Sequence, residues 1–107
     1  HVGQSFEIRM LALFCMLVRR SVIEAVGPLD EQFGVGMYED DDFSLRIRQK
    51  GYHILCAEDV YIHHWGSAAF SQLAQERFER LHLENRGKFE NKWGTLWQPH
   101  RWRMDEA

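Results

Sequence analysis

The stretch "EDDDFSLRIRQKG", residues 39–51, constrains the fold more than any other part of the chain. Glu39, Asp40, Asp41 and Asp42 open it, Arg46, Arg48 and Lys50 close it, and Gly51 follows. An α-helix favours acid at its positive N-terminal end and base at its negative C-terminal end. Glycine suits the left-handed residue that ends a helix. The spacing therefore predicts a helix from about Glu39 or Asp40 to Lys50, stopped by Gly51. Phe43, Leu45, Ile47 and the aliphatic stems of the arginines give it an apolar side. Asp42 and Arg46 stand i, i+4 apart, a helix-supporting pair.

Other elements arrange themselves around that helix. "MLALFCMLV", residues 10–18, is a continuous apolar run of the kind that forms a strand buried on both faces. Arg19 and Arg20 end it, and Ser21 stands where an N-cap belongs, before a short helix "VIEAV" stopped by Gly27 and Pro28. "GPLDEQFGVGMY" has no clear period and reads as a loop able to carry function. "YHILCAEDVYIHH" reads as two short strands joined by a turn at residues 57–59. From Phe70, apolar residues recur at Leu73, Ala74, Phe78, Leu81, Phe89 and Trp93, one face of a long helix that Gly87 could interrupt. The tail from Leu96 is aromatic, then polar. This order predicts an α/β fold, a few-stranded sheet packed with helices.

The chain has 107 residues, one domain's worth, with ordinary hydrophobic (45%) and charged (27%) content, so a modest core is affordable to it. A net charge of −3 gives no basic field for nucleic acid. No apolar run reaches membrane-spanning length. Cys15 and Cys56 are far apart and outside any CxxC pair, which points to free thiols in a reducing compartment. With no targeting pattern, the expected location is cytoplasmic, with the inner face of a membrane compatible with it. So small a sheet would struggle to cover both faces alone. Either more chain precedes His1, or two copies of the chain pair.

The four carboxylates have two readings. Acid at a helix start meets unpaired N–H groups and accounts for one or two of them. Four in a row repel one another, which raises the pKa of at least one and suits a proton acceptor near neutral pH. A calcium loop fails, because EF-hand ligands alternate around a glycine and hydrophobic residues follow here at once. In "HHWGSAAF", residues 63–70, His63 and His64 follow a strand-like alternation and should lie at a strand end, pointing to opposite faces. One of them with a carboxylate from elsewhere would suit Mn²⁺ or Mg²⁺; the absence of HExxH and HxH argues against zinc. Surface or hydrogen-bonded histidines are the plainer alternative.

"FCMLVRRSVIEAVGPLDEQF", "GMYEDDDFSLRIRQKGY", "AEDVYIHHWGSAAF" and "ENRGKFENKWG", in this order and spacing over about residues 10–94, resemble the C-terminal, acceptor-side half of family 2 glycosyltransferases with the GT-A fold. The resemblance implies part of a GT-A (Rossmann-like) layer and an inverting transfer from a nucleotide-diphosphate sugar to an acceptor hydroxyl. The acceptor would be a saccharide, a lipid-linked group or a protein. The family's acid pair falls on Glu39 and Asp40, making Asp40 the general base with Glu39 beside it. Asp42 matches an often acidic family position and would be support, acting through the helix start or Arg46; Asp41 receives no role. The family's histidine falls on His64, with His63 in reserve, and would complete a Mn²⁺ or Mg²⁺ site. Trp65 and Tyr38 flank these motifs and are candidates for stacking on an acceptor sugar, or for ordinary packing. The family's donor-binding half and its DxD-type motif have no counterpart, since Asp40–Asp42 belong to the later motif. Residues 95–107 lie beyond the resemblance as a tail, and the 107 residues alone should not transfer sugar.

Overall fold

The computed structural model describes residues 3–13, 15–34, 36–62 and 75–99. In chain order these form strand β1 (Ser5–Ile8), helix α1 (Arg20–Val26), a 3₁₀ turn (Glu31–Phe33), helix α2 (Glu39–Gln49), strand β2 (Ile54–Ala57) and helix α3 (Gln75–Trp93). β1 and β2 pair antiparallel, with Phe6 opposite Cys56 and Ile8 opposite Ile54. These four side chains are the more buried ones of each strand, so the period of two turns one face of the ribbon inward. The result is a small α/β fold with an open sheet against helices.

Helix α2 follows its charge pattern closely, running from Glu39 to Gln49 with Lys50 as C-cap and Gly51 at φ 88° behind it. It stands between two apolar clusters. Phe43 and Ile47, one turn apart, join Val22 of α1 and Ile54 of β2, with Ile8, Leu11, Leu13, Val18 and Val26 packed around them. On another side Leu45 meets the cluster of Phe33, Tyr38 and Phe89, which Met37, Trp93 and Trp97 complete. Thus α2 joins the sheet side of the molecule to α3.

Three sequence expectations are corrected. The described residues of 10–18 form no strand: among the described residues the two-stranded ribbon offers this run no neighbour, and its side chains divide irregularly. Leu11, Leu13 and Val18 pack on the first cluster while Leu17 is fully exposed. The Leu11 amide donates instead to Ser44 Oγ at 2.8 Å, a side chain buried in α2. Ser21 is not the N-cap of α1; Arg19 is, because its carbonyl accepts the Val22 and Ile23 amides and starts the helix two residues earlier. The turn at Glu58–Asp59 does not lead into a second strand at residues 60–62. It is tied back to the chain start, by Glu58 N donating to Gln4 O at 3.0 Å and Gly3 N to Asp59 Oδ2 at 2.9 Å, so β2 pairs with β1. The expected face of the last helix does turn inward from Phe78 onward, and Gly87 lies within α3 without interrupting it. The part of that expectation at residues 70–74 lies outside the described residues.

Candidate acid–base site at the head of helix α2

The chain enters α2 through an unusual backbone. Gly36 has φ 130°, and Met37 and Tyr38 follow at φ 77° and 69°. Two successive non-glycine residues in left-handed geometry cost on the order of 1 kcal/mol or more each, so the surroundings must enforce them. Helix α3 does this at several levels. Asn85, with no exposed surface, turns its Nδ2 to the carbonyls of Phe33 (2.8 Å), Gly36 and Met37 (3.1 Å). The Tyr38 hydroxyl lies 3.1 Å from His82 Nε2, one turn before Asn85. The Tyr38 ring also stands edge-on to Trp97 at 5.2 Å and tilted to Phe89 at 6.3 Å.

Asp42 anchors the other side of the first turn. It is wholly buried, yet its carboxylate meets donors all round: Arg46 Nε at 3.1 Å, Lys92 Nζ at 2.8 Å and Trp93 Nε1 at 2.9 Å. Lys92 also reaches Asp30 at 2.7 Å. Arg46 donates from Nη1 to Val26 O at 2.7 Å, reaching the carbonyl end of α1 where a cation is favoured. Hydrogen bonds from Lys92 and Gln32 hold the Asp30 carboxyl well below the usual carboxylate range. Through Asp42, Arg46 and Lys92, α1, α2 and α3 share one polar network.

What these contacts leave at the head of the helix is the acid pair. Burial pushes the Glu39 carboxyl above its ordinary range, and the charge of Asp40 adds to that; the backbone amides of Met37 and Glu39 itself pull the other way. Glu39 Oε2 is buried and has no hydrogen-bond partner. Asp40 is half-buried and accepts the Asp41 amide at 2.9 Å. Chemically, this is a pair of adjacent carboxylates at a left-handed junction, one of them with its pKa raised by burial.

The remaining expected site residues fall differently. Asp42 and Arg46 form their i, i+4 pair. Tyr38 is only 5% exposed, and its ring is taken up by His82, Phe89 and Trp97, so it packs in the core and offers no open face to a sugar. Asp41, given no role from sequence, lines a cleft of about 270 Å³ with Arg9, Leu45, Arg48, Phe89 and Trp97. His63, His64 and Trp65 lie outside the described residues. Among the described residues no three His, Cys, Asp or Glu side chains gather where an ion could sit. Nor, among them, is any helix long and apolar enough to cross a membrane. Sequence reasoning missed Asn85 and Trp93 as polar partners of the α2 head. Asn85 did carry a signal: it stands midway between Leu81 and Phe89, a polar residue on an otherwise apolar stripe.

No family model, curated protein or solved structure matches the chain.

Proposed function

We propose that the chain is the acceptor-side half of an inverting, family 2-like glycosyltransferase, with Asp40 as general base and Glu39 as its neighbour. The observation that carries the reading is the acid pair at a left-handed loop-to-helix junction that α3 holds in place. Strained non-glycine backbone is kept where a side chain must be aimed, and a proton acceptor must be aimed. The four sequence blocks that resemble the family supply the reaction class.

In this reading the acceptor hydroxyl gives its proton to Asp40 while its oxygen bonds to the anomeric carbon. The bond from that carbon to the nucleotide diphosphate breaks, its electron pair leaving with the diphosphate. Inversion follows because base and leaving group lie on opposite faces of the sugar. Glu39 is the neighbour of Asp40 in the same turn, its own carboxyl held above the ordinary range by burial. A Mn²⁺ or Mg²⁺ ion would neutralise the leaving diphosphate, with His64 or His63 and groups of the donor half as ligands. The described residues alone do not make a ligand set for it, and no step here runs through the ion.

The test is Asp40→Asn in a longer chain that includes a donor-binding half. Transfer should fall by roughly 10²–10⁴-fold while nucleotide binding survives. Unchanged turnover would remove Asp40 from the chemistry. Sugar binding without transfer by the unsubstituted longer chain would favour a non-catalytic carbohydrate-binding module.

A further inference from the structure

Asn85 has more to do than fill space in α3. Its amide nitrogen faces three main-chain carbonyls, of Phe33, Gly36 and Met37, that border the turn into α2. The orientation is chemically compelled, since the reverse one would set Oδ1 against three carbonyl oxygens. Among the described residues, the turn's backbone bonds are Gly36 N to Phe33 O at 3.3 Å and then Asp42 N to Tyr38 O at 3.0 Å, which already belongs to the helix. Met37 is the link. Its carbonyl accepts from Asn85, and its amide favours the ionised form of the Glu39 carboxyl.

We propose that Asn85 is a positioning residue for the acid pair: by holding Gly36, Met37 and Tyr38 in their left-handed course, it fixes the carboxylate of Glu39 and the direction in which Asp40 leaves the helix. Without those bonds the two non-glycine residues relax toward ordinary backbone geometry. The Met37 amide then swings away from Glu39, and the side chain turns out to water. A residue that merely filled its site would affect stability and leave the carboxylate where it is. The proposal deepens the glycosyltransferase reading and rests on it only for calling the acid pair catalytic.

The test needs no donor sugar. In the 107-residue chain with ¹³C-labelled glutamate, the side-chain carboxyl of Glu39 is titrated by NMR, with glutamate in a short unstructured peptide as reference. In the unsubstituted protein Glu39 should titrate above the peptide, because burial is the largest influence on it. Asn85→Ala should bring it down to the peptide's midpoint, and Asn85→Ser, which keeps one donor, should leave it between the two. The three-bond amide-to-Hα coupling of Tyr38 should change in step. Val22→Ala, in the other apolar cluster and away from the turn, should lower stability and leave the Glu39 midpoint unmoved. A folded Asn85→Ala or Asn85→Ser chain with an unshifted Glu39 midpoint would overturn the proposal. If Asn85→Ala does not fold, the Ser variant decides alone. In the longer chain, Asn85→Ser should lower kcat by up to about a hundredfold with the donor KM unchanged. Absence of transfer by the unsubstituted longer chain would defeat the glycosyltransferase reading and leave the titration result standing.

Discussion

Replacing Asp42 by alanine takes a wholly buried carboxylate away from three donors at once, and the consequences differ for each. Lys92 suffers least, because its side chain is 28% exposed and it keeps Asp30 at 2.7 Å. Arg46 suffers most: its side chain is 17% exposed, Val26 O is a neutral partner, and Nη2 already lacks one. Trp93 Nε1 loses the acceptor at 2.9 Å. Removing one member of a buried ion pair costs about 3–5 kcal/mol. Some of this is returned because the carboxylate's own desolvation disappears, so the lower half of that range is expected. Against a total stability of about 5–15 kcal/mol, the variant should fold but be much weakened. With a urea slope of about 1–3 kcal/mol/M, the midpoint should drop by roughly 1–4 M. Urea unfolding followed by far-ultraviolet circular dichroism measures it. Glu24→Ala, which breaks the exposed Arg20–Glu24 pair, is the control and should move the midpoint hardly at all. Combining Asp42→Ala with Trp93→Phe should be non-additive, since the second change removes a group the first has already stranded. A midpoint for Asp42→Ala indistinguishable from that of Glu24→Ala would refute the account of Asp42 as the anchor of α2.

Two pH predictions follow from the carboxylates on either side of that anchor. Glu39 has a raised pKa in the folded state, so its ionisation opposes folding at neutral pH, and this penalty disappears as pH falls through the folded value toward the unfolded one. Glu39→Gln, which keeps the shape and removes the charge, should therefore melt at a higher temperature than the unsubstituted chain at pH 7. The difference should close by about pH 4; a lower melting temperature at pH 7 would contradict it. Asp30 is the opposite case: its depressed pKa contributes stability that is present above the unfolded value and lost as pH falls toward the folded one. Asp30→Asn should be less stable than the unsubstituted chain at pH 7 and should lose less on acidification below about pH 4. Parallel acid curves for the two proteins would count against the Lys92 and Gln32 bonds as the cause.

Local signals were legible where one element contains its own reasons. Helix α2 could be read residue by residue because acid, apolar period, base and terminal glycine lie within one stretch. The Asp42–Arg46 pair was legible too, since i, i+4 neighbours meet on any helix. The apolar run at residues 10–18 misled because a strand is a property of two segments, and among the described residues no partner strand stands beside this one. β1 escaped notice for the converse reason. Four residues with one alternation carry little information until β2, 46 residues later by the Ile8–Ile54 pair, supplies the other edge.

The sequence by itself determined the charge-matched helix, the acid pair at its head and the inward stripe of α3, all set by short-range periodicity and the helix dipole. Only the tertiary structure decided which carboxylate is an anchor and which is raised toward neutrality. Asp42 is buried among Arg46, Lys92 and Trp93, while Glu39 is half-buried with one oxygen unpartnered. Adjacent carboxylates look alike in a sequence. Two of the three donors around Asp42, Lys92 and Trp93, come from some fifty positions away and meet it only when α3 packs against α2.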